Sequence, residues 1–149
     1  ELTIREELRL LESYMKIQQV RFGDGIELEY DLDESLLEHK VMKLTLQPIV
    51  ENSIHHGRRD DSDSFHILIR LYRTEEQSAL QKTVLEVIDD GIGIPPEKML
   101  ELQDSMDQSV GGYGLKNVNL RIKLQYGQEY GISMESEEGF GTKVRIELP

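Results

Sequence analysis

The sequence predicts an α/β two-layer sandwich in which a mixed, mostly antiparallel sheet carries helices on one face. Three observations lead there. A chain of 149 residues, 38% apolar and 31% charged, is long enough for one compact core and too short for two ordinary domains, so residues 1–149 read as a single domain. Stretches of helical spacing alternate with stretches of period two. At two places strand follows strand with no helix between, which rules out a strict alternation and with it an all-parallel sheet.

The elements follow in order. Thr3-Ile4-Arg5-Glu6 has the form of a capping box, and Ile4, Leu8, Leu11 and Met15 recur at helical spacing up to about Phe22. Residues 1–23 are thus an amphipathic helix leading into the core. Gly23-Asp24-Gly25 breaks it, after which Ile26, Leu28, Tyr30 and Leu32 alternate as a half-buried strand. Thr45 cues a second helix with Pro48 in its first turn, apolar Leu46, Ile49, Val50 and Ile54, and Gly57 as its stop. A charged loop from Arg58 to Ser64 leads to two strands, one through Ile67, Ile69 and Leu71, the other from Val84 to Ile88. Pro96 to about Leu102 is a short helix, and residues 103–114, small, polar or glycine, read as a mobile loop of the kind that forms lids. A helix from Leu115 to Tyr126 ends at Gly127, and a hairpin around Glu137-Glu138-Gly139 closes the chain.

A net charge of -12 argues against nucleic acid or an anionic membrane as partner. It leaves room for a phosphate-bearing ligand held by backbone amides, a metal and a few placed cations. With no cysteine there is no disulfide scaffold and no cysteine-ligated zinc. No apolar run approaches the roughly 18 to 20 residues of a membrane span, so the piece is expected to be soluble.

Four constellations carry the chemistry. In Leu46-Gln47-Pro48-Ile49-Val50-Glu51-Asn52-Ser53-Ile54-His55-His56-Gly57, helical geometry puts Glu51 and His55 on one stripe and Asn52 and His56 on the next. An asparagine oxygen suits Mg²⁺, and a neighbouring glutamate can orient or deprotonate a nucleophile; the same residues also suit an ordinary solvent-facing helix. Val87-Ile88-Asp89-Asp90-Gly91-Ile92-Gly93-Ile94-Pro95 ends an apolar strand with an acidic pair and two glycines. A buried carboxylate there can accept from an exocyclic amine such as adenine's, while a plain tight turn uses the same residues. Gly111-Gly112-Tyr113-Gly114-Leu115-Lys116-Asn117 runs into a helix whose N-terminal amides favour anions, or is a flexible linker. Gly139-Phe140-Gly141-Thr142 by itself is a hairpin turn. Neither a dinucleotide fingerprint nor a P-loop is present.

Together and in this order, the four resemble the nucleotide-binding signature of the GHKL superfamily of ATPases and kinases, which includes gyrase, the Hsp90 chaperones, MutL and histidine kinases. The wording is closest to sensor histidine kinases of the LytS/YesM type, whose catalytic domains look like LQPLVENAIKHG, DNGxGI, GxGLxNvxxRL and GxGT, and the resemblance covers nearly the whole chain. The first helix, with Glu7, Tyr14 and Arg21-Phe22-Gly23, looks like the segment that precedes the catalytic core in this family.

The resemblance implies the Bergerat ATP-binding fold, ATP and Mg²⁺ as ligands, and protein-histidine kinase activity. Position by position it makes Asn52 the Mg²⁺ ligand, with Glu51 assisting phosphoryl transfer. It places Asp89 on the adenine amine, Gly91 and Gly93 around the base, Gly112, Gly114 and Leu115 at the phosphates beside a lid over 103–114, and Thr142 at the adenine end. His55 stands where the family often has a lysine near the phosphates, and Asp90 where asparagine is commoner. Lys116, Arg121 and Arg58-Arg59 are candidate phosphate or partner contacts, with solvated surface charge as the ordinary alternative. The acceptor histidine is expected on an upstream dimerisation segment in a context resembling NPHFLFNTLN, which His39, His55, His56 and His66 all lack. The implied protein is a cytoplasmic catalytic domain of a membrane-anchored sensor, with a response regulator as further partner, no nucleic acid and no membrane contact of its own. Three alternatives stand beside it: a GHKL ATPase in which Glu51 activates water, an anti-sigma serine kinase, and a non-catalytic ATP-binding interaction module.

Overall fold

The capping box at the start forms as its residues dictate: the Thr3 hydroxyl accepts from the Glu6 amide at 3.2 Å and the Glu6 carboxylate accepts from the Thr3 amide at 3.2 Å. It opens α1 (Ile4–Phe22), which stops at Gly23 with φ of 81°. The computed structural model describes residues 1–23, 25–43, 46–57, 64–75, 80–107 and 114–149. Before α1 lies a two-residue strand, β1 (Leu2–Thr3), and after it come β2 (Ile26–Leu32), a 3₁₀ turn (Glu34–Leu36), β3 (Lys40–Val41) and α2 (Gln47–Gly57). Then follow β4 (Phe65–Arg73), β5 (Thr83–Asp89), α3 (Pro96–Asp107), α4 (Gly114–Tyr126), β6 (Gly131–Glu137) and β7 (Gly141–Leu148).

The main sheet has the order β2-β4-β5-β7-β6. Only β2 and β4 run parallel; the other three pairs are antiparallel, as the strand-after-strand pattern requires. Ile67, Ile69 and Leu71 of β4, Leu85 and Val87 of β5, and Val144, Ile146 and Leu148 of β7 share one face. They pack there with Ile4, Leu8, Leu11 and Met15 of α1, Leu46, Ile49, Val50 and Ile54 at α2, and Leu115, Val118 and Ile122 of α4. Thus α1, expected to precede the core, is a wall of it. Among the described residues no helix packs over the opposite sheet face. Val84 is nonetheless fully buried there, and so is the Glu86 carboxylate, between Arg70 at 3.3 Å and Lys143 at 3.2 Å.

Two expectations are corrected. The helix from Pro96 does not stop near Leu102 but continues to Asp107, so residues 103–107, read as the start of a mobile loop, are helical. Met99, Leu102 and Met106 keep i, i+3, i+7 spacing, a signal that the polar residues between them obscured. The small sheet of β1 and β3, pairing Leu2 with Val41 and Thr3 with Lys40, was also unforeseen, because strands of two residues have no period to read.

Helix α2 begins without a capping side chain of its own: Leu46 precedes it, and Ile49 occupies the position where a capping-box carboxylate would sit. Glu7 of α1, only 3% exposed, supplies that carboxylate from outside by accepting from the Leu46 amide at 3.2 Å. Replacing Glu7 by Ala strips a buried backbone donor of its partner and the helix start of its negative charge. It is expected to cost about 2–3 kcal/mol, read as a lower urea midpoint at unchanged slope, with Glu7→Gln losing less.

Candidate functional site

The site is built where β5 ends beneath α2. Asp89 closes β5 and is 5% exposed, a position at which an unsupported carboxylate would be costly. The Gly91 amide donates to it at 3.0 Å, and the Ser53 hydroxyl of α2 and the Thr142 amide of β7, whose residue pairs with Asp89 in register, lie near enough to favour its charged form. Burial still pushes its carboxyl above the usual aspartate range, with the donors and the adjacent Asp90 charge pulling in opposite directions.

The glycines expected around the base pocket let three chain segments close on this aspartate. A Cβ on Gly91 would run into the Gly57 carbonyl at the end of α2, one on Gly93 into the Glu137 carbonyl, and one on Gly141 into the Asp89 carbonyl. Gly93 and Gly141 also have φ of 71° and 126°, conformations that side chains resist. Hydrogen bonds fasten the same approaches: Ile92 amide to Gly57 carbonyl at 2.8 Å, Gly139 amide to Ile92 carbonyl at 2.6 Å, and Ile94 amide to the Ser136 hydroxyl at 2.8 Å. Ser136 also reaches the Thr142 hydroxyl at 2.8 Å, so that hydroxyl, assigned to the adenine end from sequence, already has a protein partner.

On α2, Glu51 and His55 are exposed and Asn52 is half-buried, one residue from Ser53. The Tyr14 hydroxyl of α1 is pushed up to about 12 by burial first and by the charge of Glu51 second, which puts α1 alongside the Glu51 face. Gly114 is the first residue of α4, and the Leu115 side chain enters the core, leaving only its backbone amide for a ligand. Gly112, most of the expected lid (108–113) and Arg58-Arg59 lie outside the described residues. Lys116 is 6% exposed and Arg121 donates to the Lys43 carbonyl at 3.4 Å, so neither is plain solvated charge.

Three residues of the site were not singled out from sequence. Ser53 and Ser136 are two; the signal for Ser53 was present, since it lies on the apolar stripe of α2 with Leu46, Ile49, Val50 and Ile54, and a polar residue on a buried stripe needs a partner. The third is His66, whose ring bridges Asp90 at 2.8 Å and Glu27 at 3.2 Å, while its amide donates to Asp90 at 2.8 Å. The hydrogen bond that the ring donates to Asp90, then the charges of Asp90, Glu27 and Glu29, hold the imidazole above its ordinary value. A folded-state value above the unfolded one means the contribution is full below about pH 6.5 and is lost as pH rises through the raised value. Urea unfolding between pH 5 and 8 is therefore expected to show wild-type stability falling relative to His66→Gln as pH rises; parallel profiles would refute the bridge.

Comparison with known proteins identifies the family. Residues 39–149 match the family described as histidine kinase-, DNA gyrase B- and HSP90-like ATPases. An uncharacterised sensor-like histidine kinase of Staphylococcus epidermidis is 34% identical over 98% of the chain, and the sensor protein kinase HptS of Staphylococcus aureus is 32% identical over 98%. The chain spans 28% and 27% of the lengths of these relatives. Among solved structures, the catalytic domain of histidine kinase ThkA superposes with a TM-score of 0.68 at 16% identity, covering 99% of this chain and 94% of that one. The histidine kinase domain of the blue-light activated kinase of Erythrobacter litoralis EL346 gives 0.66 at 20% identity, covering 99% and 61%. Fold, site and sequence match together place this chain in the family of histidine kinase-, DNA gyrase B- and HSP90-like ATPases.

Proposed function

We propose that this chain is the ATP-binding catalytic domain of a sensor histidine kinase, which holds Mg-ATP and presents the γ-phosphate to a histidine on a dimerisation segment of the parent protein. The observation that carries the reading is the buried Asp89, held by the Gly91 amide beneath the helix that bears Glu51 and Asn52. An ionised carboxylate so held accepts from the adenine amine, and Gly91 and Gly93 bring the chain close around the base. The N-terminal amides of α4 at Gly114 and Leu115 attract the phosphates.

Among the described residues no group of three or more His, Asp or Glu could cage a metal ion. Mg²⁺ keeps its waters and substrate oxygens and needs few protein ligands, and the oxygen of the half-buried Asn52 fits as one of them. When bound, the ion neutralises charge on the phosphates. Glu51, exposed beside it, is placed to orient the incoming imidazole and take up its proton, and His55 one turn on faces the same side. No described helix is long and apolar enough to cross a membrane. The membrane anchor, the LytS/YesM subtype and the response regulator belong to the proposed parent protein.

Calorimetric titration tests the proposal. Wild type should bind ATP more tightly with Mg²⁺ than without, and Asn52→Ala should erase that difference by removing the protein's contribution to the metal. A folded wild-type chain that binds no ATP would overturn the reading.

A further inference from the structure

We propose that Glu7 of α1 is the positioning residue for α2, and that through it the docking of α1 sets how well the pocket holds the metal-bound form of ATP. The metal half of this rests on the function proposed above. Leu46 is the residue from which α2 winds: the Ile49 and Val50 amides both donate to its carbonyl, at 3.1 and 3.0 Å. Its own amide donates to the Glu7 carboxylate at 3.2 Å, and Glu7 is only 3% exposed, so water cannot readily stand in for it. The far end of the helix has a separate hold, the Ile92 amide on the Gly57 carbonyl at 2.8 Å, next to Asp89. Asn52 lies midway between the two holds. Loss of the near one lets this short helix fray and pivot about the far one, which displaces Asn52 and leaves the Asp89 end in place.

The start of α1 is itself well anchored. The Ile4 and Arg5 amides donate to the His39 and Leu37 carbonyls, both at 2.9 Å, Arg5 pairs with Glu38 at 2.7 Å, and Leu2 and Thr3 pair with Val41 and Lys40. Glu7 therefore reaches α2 from a fixed base. The other flank of α1 serves a different element: Gln19 donates to the Ile26 carbonyl of β2 at 3.0 Å. The family match begins at residue 39, so a helix that lies before the matched stretch caps a helix inside it. Whatever displaces α1 uncaps α2. The coupling is reciprocal, since metal-bound ATP that favours the capped helix must equally favour docked α1.

The test measures ATP affinity by calorimetry with Mg²⁺ and with the metal chelated, and amide hydrogen exchange along α2 in the nucleotide-free chain. It compares wild type with Glu7→Ala, Glu7→Gln, Glu7→Asp and Gln19→Ala. Glu7→Ala should shrink the gain in affinity that Mg²⁺ confers by about tenfold and speed exchange at the Ile49 and Val50 amides by a like factor, with metal-free affinity held within about twofold. Glu7→Gln, which keeps an oxygen for the Leu46 amide, should restore both readouts; Glu7→Asp, one methylene short, should not. Gln19→Ala frees the opposite flank of α1 and should leave both at the wild-type level. An unchanged Mg²⁺ gain in folded Glu7→Ala, an equal loss of metal-free and metal-bound affinity, or the same pattern in Gln19→Ala would overturn the proposal. Should wild type bind no ATP, the kinase reading fails, and exchange at Ile49 and Val50 alone decides whether Glu7 positions α2. If Glu7→Ala does not fold, Glu7→Asp and Glu7→Gln decide: matching behaviour in the two would overturn it.

Discussion

Asp89→Asn is expected to lose ATP binding by at least about a hundredfold while the protein unfolds at an unchanged or higher urea concentration. The two halves have one cause. Converting the carboxylate to an amide removes a charged acceptor for the base amine and places a donor beside other donors, a loss of roughly 2–4 kcal/mol for a buried charge-assisted contact. The stability half follows from the sign of the shift. Burial raises the Asp89 carboxyl above its unfolded value, so holding it ionised costs more in the folded chain than in the unfolded one, and a neutral isostere relieves that cost. Binding and stability therefore move in opposite directions, as they do where function holds a group in an uncomfortable state. Retention of ATP affinity within a few-fold would remove Asp89 from the base pocket.

Gly141→Ala should be among the most damaging single-methyl changes at the described glycines. The position has φ of 126°, outside what a side chain tolerates, and the added Cβ would collide with the Asp89 carbonyl across the β5–β7 pairing. Backbone strain and overpacking each cost about 1–3 kcal/mol, and here neither atom is the far end of a flexible side chain that could swing aside. A loss of about 3–5 kcal/mol is expected in urea unfolding, with ATP affinity falling alongside because the obstructed carbonyl belongs to Asp89 itself. Gly139→Ala is the control: its φ is 88° but its Cβ would meet nothing within 4 Å, so it carries strain without collision. Equal losses from both variants would show that conformation alone accounts for Gly141.

How far the sequence was readable follows the range of the interaction concerned. The capping box of α1, the unbroken apolar run of β5 and the final hairpin are local patterns, and they were readable residue by residue. The candidate motifs were readable as strings, and the structure brings Ser53, Asp89, Gly91 and Thr142 to one point although 89 positions separate the first from the last. Two kinds of feature escaped. Contacts between distant positions with no periodic signature, such as Glu7 on Leu46 or His66 between Asp90 and Glu27, come from the fold and not from any window of sequence. The extent of α3 escaped because polar residues diluted its apolar spacing after Leu102.

The uncovered face of the sheet explains how two layers suffice. Cations and carboxylates run across it in alternation, Asp31 to Arg70 to Glu86 to Lys143, with Arg145 and Glu147 further along β7 and Lys82 pairing with Glu147. Glu86 is buried at the centre of this row, while its cationic partners keep part of their surface in water. The side chains thus form a thin, water-compatible skin in place of a third layer. A seal made of ion pairs, unlike an apolar one, loosens as added salt screens it.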